Sequence, residues 1–290
     1  MTNQFDNLLL SSLVLYYDNK ILDKGTAYTN VTSQFYATSG DVNGLYAYAA
    51  PFKPFVSDHS ITNAIKISGV YVGNTFHLLG SGGVTGINFG EGLVYLTGAA
   101  TGTISGNYSV QDFYVTTTAR PDDELLFERK YQIRPKTISQ SGVAGLLPSE
   151  YTVPVIFFKH DRSHNEEFAF GGIEDTRSTI NCIIIADSQF LLDAAVSIIR
   201  DTTRDYIPEL VANDMPFNML GSYMNGTNYN YDTITANKVA NASGYYIQRV
   251  DVLGFTNNFN IVNEIKRMNP KIYTSFLTIE TSKIRQPRIC

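Results

Sequence analysis

Residues 180–200 read INCIIIADSQFLLDAAVSIIR, and this stretch decides the class of fold. Its first six residues are almost uniformly apolar, which predicts a central strand covered on both faces. Asp187 is then placed to cap a helix that runs to about Arg200. The buried side of that helix is apolar at helical spacing: Phe190, Leu191, Ala194, Ala195, Ile198 and Ile199. A strand that leads directly into an amphipathic helix indicates a layer of helix on sheet.

Further strands are predicted on both sides of this segment. Residues 151–158 precede it and are rich in β-branched and aromatic side chains, and residues 125–133 are an earlier candidate. Residues 245–253 and 272–281 follow it as the last convincing strands. The order strand–strand–helix–loop–strand–strand predicts an α+β domain over residues 121–290, with a sheet and one flanking helix.

Residues 25–120 predict a separate β-rich module. Short alternating runs fill residues 60–118, and residues 87–96 read as a hairpin with glycines at its turn. Strands at this spacing are typical of a small antiparallel sandwich or barrel. Residues 25–51 are rich in Tyr, Thr, Asn and Ala without a sustained period, so we expect a long ordered loop there with a binding or assembly role. The polar run at residues 120–124 marks the domain boundary.

Residues 1–24 predict an N-terminal helix. Asp6 or Asn7 can cap it, and Gly25 is well placed to end it. Apolar side chains surround much of this helix, which predicts that it is buried. Burial inside the subunit and burial against a neighbouring copy both satisfy the pattern, and we favour the neighbour.

Composition excludes several classes of protein. The chain has 290 residues and a net charge of −5, and 17% of its residues are charged against about 25% in ordinary soluble domains. Its 43% hydrophobic content argues against disorder, and its acidic balance argues against broad nucleic-acid binding. No apolar stretch approaches the ~20 residues that span a bilayer. Aromatic residues make up 12% and are all Tyr or Phe, which favours permanent protein contacts.

The sequence holds no assembled set of catalytic or metal-binding residues, so we expect no enzyme activity, no metal and no cofactor. Residues 160–164, HDRSH, place two histidines at the i, i+4 spacing of zinc ligands, but the run predicts a solvated hairpin loop. The role of His160 and His164 stays open. Asp58-His59-Ser60 has the residue types of a hydrolase triad, which adjacent residues cannot form. Cys182 lies in an apolar strand and reads as a buried hydrophobe.

Tyrosine- and phenylalanine-rich segments are the candidates for an interface with other proteins. Aromatic side chains offer large, rigid contact areas at a low cost in conformational entropy. With two residues of the N-terminal helix, the candidate interface residues are Leu9, Leu13, Tyr28, Phe35, Tyr36, Tyr46, Tyr48, Phe52, Phe55, Tyr223, Tyr229 and Tyr231.

Five stretches together resemble virion structural proteins of contractile-tailed bacteriophages, closest in style to cyanophages. They are DKGTAYTN (residues 23–30), PFKPFVSD (51–58), GVYV (69–72), GNYSVQDF (106–113) and FAFGGIEDT (168–176). The resemblance spans most of the chain, but these stretches are not catalytic motifs. No functional residue is therefore carried over from the family.

The resemblance implies a head–tail connector or tail-terminator-like subunit in the phage neck, which joins the capsid portal to the tail. Such a subunit forms a homo-oligomeric ring, with six or twelve copies expected. It contacts proteins on the portal or adaptor side and on the tail side, and genomic DNA passes through the ring without specific binding. The implied location is the virion, assembled in the host cytoplasm without a membrane. Alternatives are a capsid decoration, collar or tail-associated protein, a β-rich receptor- or carbohydrate-binding adhesin, and a hydrolase built on His160 and His164.

Overall fold

A computed structural model describes residues 5–42, 44–119, 132–133, 152–169, 173–224, 228–240, 244–253 and 272–285. Within these residues the protein is mostly strand, with few helices and two curled sheets. The predicted α+β class with a barrel-like module is consistent with this architecture. The predicted domain boundary at residues 120–124 lies outside the described residues.

The first sheet has seven antiparallel strands in the order β4-β3-β7-β1-β2-β6-β5. Its strands are β1 (Tyr28–Val42), β2 (Leu45–Ala49), β3 (Gly69–Val72), β4 (Thr75–Leu78), β5 (Val84–Asn88), β6 (Leu93–Leu96) and β7 (Ile104–Gln111). Residues 28–35 of β1 pair with β7, and residues 36–42 pair with β2. The loop predicted over residues 25–51 is therefore wrong, because β1 and β2 occupy most of it. The predicted hairpin at residues 87–96 is confirmed as β5 and β6.

The second sheet has six strands in the order β13-β14-β15-β12-β11-β8. The remaining strands of the chain are β8 (Tyr114–Thr117), β9 (Gln132–Ile133), β10 (Thr152–Val153), β11 (Val155–Ala169), β12 (Ile173–Ala186), β13 (Tyr206–Pro208), β14 (Gly244–Leu253) and β15 (Tyr273–Arg285). β9 and β10 form a separate two-stranded parallel ladder. Only two residues separate β7 from β8, so the chain passes directly from the first sheet into the second.

The N-terminal helix α1 (Phe5–Gly25) lies inside the subunit. Leu9, Leu13 and Tyr17 have no exposed surface, and the Tyr17 ring stacks on Phe158 of β11 at 5.0 Å between centroids. The hydroxyl of Ser12 accepts a hydrogen bond from the main-chain N–H of Leu210 at 2.9 Å. The helix is predicted correctly, but our preference for docking on a neighbouring copy is wrong, because its apolar face packs against the subunit's own core.

The strand predicted at residues 180–185 is central, as expected. Ile180, Cys182 and Ile184 face the main core that both sheets share, whereas Ile183 and Ile185 face a smaller core on the opposite side. Helix α2 (Gln189–Arg200) follows, and its cap is Ser188, not Asp187. The Ser188 Oγ accepts a hydrogen bond from the N–H of Leu191 at 3.3 Å. A third helix, α3 (Tyr231–Ala240), follows β13 in the chain.

Three strands of the second sheet extend past the core as a structure that we call the arm. It consists of residues 161–169 of β11, 173–179 of β12 and 280–285 of β15, joined by main-chain pairing. The loop predicted at residues 160–164 is wrong, since these residues belong to β11. The main-chain pairing with β12 continues although the apolar pattern has stopped, and most side chains of residues 161–167 are exposed.

Candidate functional site

The outward face of the first sheet is the candidate functional site, and the register of four strands builds it. Gln34 of β1 lies opposite Ser105 of β7, which in turn lies opposite Tyr71 of β3. Tyr71 lies opposite Phe76 of β4. Directly opposed residues point to the same side of a sheet, as do residues two apart in a strand. We call this surface the uncharged face; its residues are Thr32, Gln34, Tyr36, Tyr71, Phe76, Leu78, Ser105 and Asn107.

Large apolar side chains are exposed on the uncharged face. The exposed fractions are 41% for Tyr36, 38% for Tyr71, 43% for Phe76 and 54% for Leu78. The Tyr71 and Phe76 rings pack together with their centroids 4.9 Å apart. A contiguous group of exposed aromatic and aliphatic side chains marks an interaction surface more often than scattered ones do. The face therefore has the apolar content of an interface core.

The polar groups on the uncharged face carry no charge. Thr32 donates a hydrogen bond to the Asn107 side chain at 2.7 Å, and the other polar members are Gln34 and Ser105. No Lys, Arg, Asp or Glu occurs at residues 28–38, 69–78 or 104–111. Removing such a surface from water leaves no charge to desolvate, which is the largest cost that burial imposes. Depletion of charge is also what distinguishes interface cores by composition.

The few charges of this part of the chain lie elsewhere. Residues 26–119 hold six charged side chains: Asp41, Lys53, Asp58, Lys66, Glu91 and Asp112. Lys53 is buried and pairs with Glu91 at 2.8 Å. The ammonium of Lys66 donates to the main-chain carbonyls of Ile61 and Ala64.

Asp58, one of the six, is fully buried and caps helix α3 from a distant segment. One carboxylate oxygen accepts hydrogen bonds from the N–H groups of Ser60 at 2.9 Å and Tyr231 at 3.0 Å, and the other accepts from Asn19 at 2.9 Å. Burial, with a smaller contribution from the charge of Asp58, raises the pKa of Asp18 to about 7. Asp58 thus links helices α1 and α3 through Asn19 and Tyr231, a structural role that the sequence did not reveal.

Nine of the twelve predicted interface residues lie in the interior of the subunit. These are Leu9, Leu13, Phe35, Tyr48, Phe52, Phe55, Tyr223, Tyr229 and Tyr231, all buried. A side chain buried in its own subunit has no surface to offer another protein, so we reassign these nine to the core. Tyr28 is half-buried, whereas Tyr36 and Tyr46 are exposed at 41% and 42%. Tyr36 belongs to the uncharged face.

The two histidines of interest lie on different sides of β11. Nε2 of His160 contacts the Ser163 hydroxyl at 2.7 Å and an Asp6 carboxylate oxygen at 3.3 Å, and Ser163 itself donates to the same Asp6 oxygen. A hydrolase triad places the serine and the carboxylate on opposite ring nitrogens, so this geometry does not fit one. His164 instead contacts Glu166 at 3.1 Å.

Other residues that sequence reasoning considered are also placed by the structure. Cys182 is fully buried, and burial raises the pKa of its thiol. Gly80, Gly82 and Gly83 have φ of +85°, +55° and +85° and form the turn between β4 and β5, as predicted. Gly171 and Gly172 lie outside the described residues. Among the residues that are described, no three His, Cys, Asp or Glu side chains group as metal ligands.

Seven positions of the uncharged face, all except Tyr36, were not predicted from the sequence. A signal was present: residues 28–36 and 104–110 contain no charge although they are not apolar.

Comparison of the chain with protein-family models, curated proteins and solved structures finds no significant match. In the described part of the chain, no helix combines the length and the apolar character that crossing a membrane requires.

Proposed function

We propose that this protein is a non-enzymatic structural subunit of a bacteriophage virion. In the full proposal it forms a homo-oligomeric ring in the neck, where it joins the capsid portal to the tail. The observation that carries the proposal is the uncharged face. A virion subunit needs a surface that stays buried for the life of the particle, and obligate interfaces are large and poor in charge.

The positions of the residues that could take part in catalysis support the same proposal. Asp58 is used as a helix cap, Cys182 is packed in a core strand, and His160 is held between Asp6 and Ser163. Each of these groups has a structural partner that accounts for its position. The uncharged face, in contrast, offers aromatic rings and uncharged hydrogen-bonding groups, which are common in protein interfaces.

The test is assembly of the purified protein. Light scattering after size exclusion, with negative-stain imaging, should show closed rings of uniform stoichiometry. Rings should also bind purified phage heads or tails that lack this protein and restore their joining. A strict monomer that joins neither heads nor tails would contradict the proposal. Binding to one particle type alone would place the subunit on that side of the joint.

A β-rich adhesin that binds carbohydrate is the second candidate, because the uncharged face also suits that function. The exposed ring of Tyr71 lies in the row of Ser105 and Gln34, and an aromatic ring beside amide and hydroxyl groups is a common arrangement for sugars. A glycan array separates the two functions. Specific glycan binding that a Tyr71→Ala substitution abolishes would favour the adhesin, whereas ring formation without glycan binding favours the virion subunit.

A further inference from the structure

Among the described residues, β11 has no partner strand on its outer edge along residues 163–167 of the arm. β8 pairs with four residues of β11, 155–158, and the Thr118 N–H donates to the Phe158 carbonyl at 3.0 Å. An open strand edge is a template for pairing with another strand.

The direction of the main-chain groups on this edge follows from the register. Both main-chain groups of a residue in a strand point to the same edge, and the edge alternates along the strand. The Phe158 carbonyl points outward, to β8. One extra residue, Asp161, interrupts the pairing with β12 and shifts the alternation by one. The N–H and C=O groups of Ser163, Asn165 and Glu167 therefore point outward.

Within the described residues, the opposite edge of the same sheet also has no partner strand along residues 250–252. Ile247 of β14 exchanges hydrogen bonds with Arg204 and Asp205 at 2.9 Å, and among the described residues the outer edge of β14 has no pairing beyond it. The register against β15 also shifts after Ile247. The same alternation then directs the main-chain groups of Val250 and Val252 outward. In the part of the chain that the structure describes, the sheet thus has one unpaired edge at each end.

We propose that the β11 edge of one copy, residues 163–167, pairs with the β14 edge of a second copy, residues 250–252. The second sheet then continues from copy to copy. This joint uses two different surfaces of the same chain, and such a head-to-tail contact closes into a ring when its rotation allows. The inference rests on the proposed function, in which copies of this chain form the ring.

Charge explains why the second copy is the occupant. Arg162 lies in the same row of the sheet as Glu280 and Arg249, so the side chains of β11 and β14 near the two edges share one face. Each edge carries both signs on that face: Arg162 and Glu166 on β11, and Arg249 and Asp251 on β14.

β11 and β14 run in opposite directions within the sheet, so the joint is antiparallel. Pairing of Asn165 with Val250 of the second copy then places Glu166 opposite Arg249. The bulges and charges also restrict pairing with unrelated strands.

A proline at each edge tests the joint. Asn165→Pro removes an outward N–H that the ladder with β12 does not use, and proline is tolerated at such edge positions. Asn165→Ala is the matched control, because both substitutions remove the side-chain contact with Thr176. We expect the alanine variant to form rings like the wild type. The proline variant should remain folded by circular dichroism, and its half-assembly concentration should rise roughly tenfold or more.

Val252→Pro, with Val252→Ala as its control, tests the other edge in the same way. The decisive measurement mixes the two proline variants, because each retains the edge that the other has lost. At a protein concentration too low for either variant to assemble alone, light scattering of the mixture should show a heterodimer, since only one joint can form.

The outcomes separate this inference from the proposed function. Rings of both proline variants that match the alanine controls would overturn the edge pairing and leave the ring intact. A wild-type chain that stays monomeric and joins neither heads nor tails would overturn the ring itself. If Asn165→Pro fails to fold, the comparison of Val252→Pro with Val252→Ala still decides the matter.

Discussion

The uncharged face of the first sheet and the arm of the second sheet are both exposed antiparallel surfaces, but they differ in charge. On the arm, Arg177 contacts Asp175 at 3.0 Å and Glu166 at 3.1 Å, and beside it Arg249 of β14 contacts Asp251 at 2.7 Å. The arm carries charged side chains such as Arg177 and Glu166 at its surface, whereas the uncharged face carries none. The low charged fraction of the chain therefore comes mainly from residues 26–119, which include the first sheet.

A cavity beneath helix α1, which packs into the core that both sheets share, should have the largest effect on stability. Leu13 of α1 is fully buried in the core that both sheets share. Leu13→Ala should lower the free energy of unfolding by about 2–5 kcal/mol. Because the core is shared, the two sheets should unfold in one transition, measured by urea titration with circular dichroism and tyrosine fluorescence. Two separate transitions would show that the regions are independent.

A charge placed on the uncharged face should give it the charged character of the arm. Tyr71→Asp should raise the half-assembly concentration roughly tenfold or more, because an unpaired carboxylate would be buried in the contact. The free energy of unfolding should change by no more than about 1 kcal/mol, since Tyr71 is exposed. Phe190→Asp is the control: Phe190 is 80% exposed and lies on α2, away from the face. Equal assembly of both variants would remove the face from the interface.

The half-buried Asp18 of helix α1 should make stability depend on pH. The pKa of Asp18 is raised from 3.8 to about 7, so the folded state holds a proton that the unfolded state releases. Stability should therefore fall as pH rises from about 4 to 7 and then level off. Asp18→Asn should remove this slope and stabilise the protein at pH 8 by roughly 1–2 kcal/mol, because partial solvent access screens the effect. Thermal melts at pH 5 and pH 8 measure it, and an unchanged slope would contradict it.

Loss of an ion pair on the arm should have the smallest effect. The Arg177–Glu166 pair is exposed on both sides, and exposed pairs contribute little because water and salt screen them. Glu166→Gln should lower the melting temperature by about a degree or two at low salt, and by less at roughly 0.5 M salt. A large loss at both salt concentrations would mean that the arm charges are structural.

The helices and strands that could be predicted from the sequence are those with a regular pattern of buried apolar and exposed polar side chains. Residues 180–185 are apolar on both faces, and residues 189–200 are apolar at helical spacing. Helix α1 and the hairpin at residues 87–96 also have clear apolar patterns. β1 was missed because its inward positions include Ser33 between Val31 and Phe35, so they contrast weakly with outward residues such as Thr32 and Gln34. The extension of β11 was missed because the arm extends beyond the core and both of its faces are polar.

The uncharged face itself could not be predicted in full. Gln34, Tyr71 and Ser105 become neighbours only through pairing between distant strands. A sequence shows how many charges a segment lacks, but it does not show which of the remaining side chains end up outside. The same limit explains why most of the predicted interface aromatics are core residues. Tyrosine serves both places, and its buried hydroxyl needs only one partner, as Tyr17 finds in Thr202 at 2.8 Å.

The partners of helix α1 have a consequence for biosynthesis. Ser12, Tyr16 and Tyr17 bond to Leu210, Asp205 and Thr202, which follow them by 198, 189 and 185 residues. A ribosome therefore exposes this helix long before its partners exist, and the growing chain carries an unprotected apolar segment for most of its synthesis. Native structure can form only after the later strands emerge. A fragment released early would lack most strands of the second sheet, so unfinished chains could not reach the native fold.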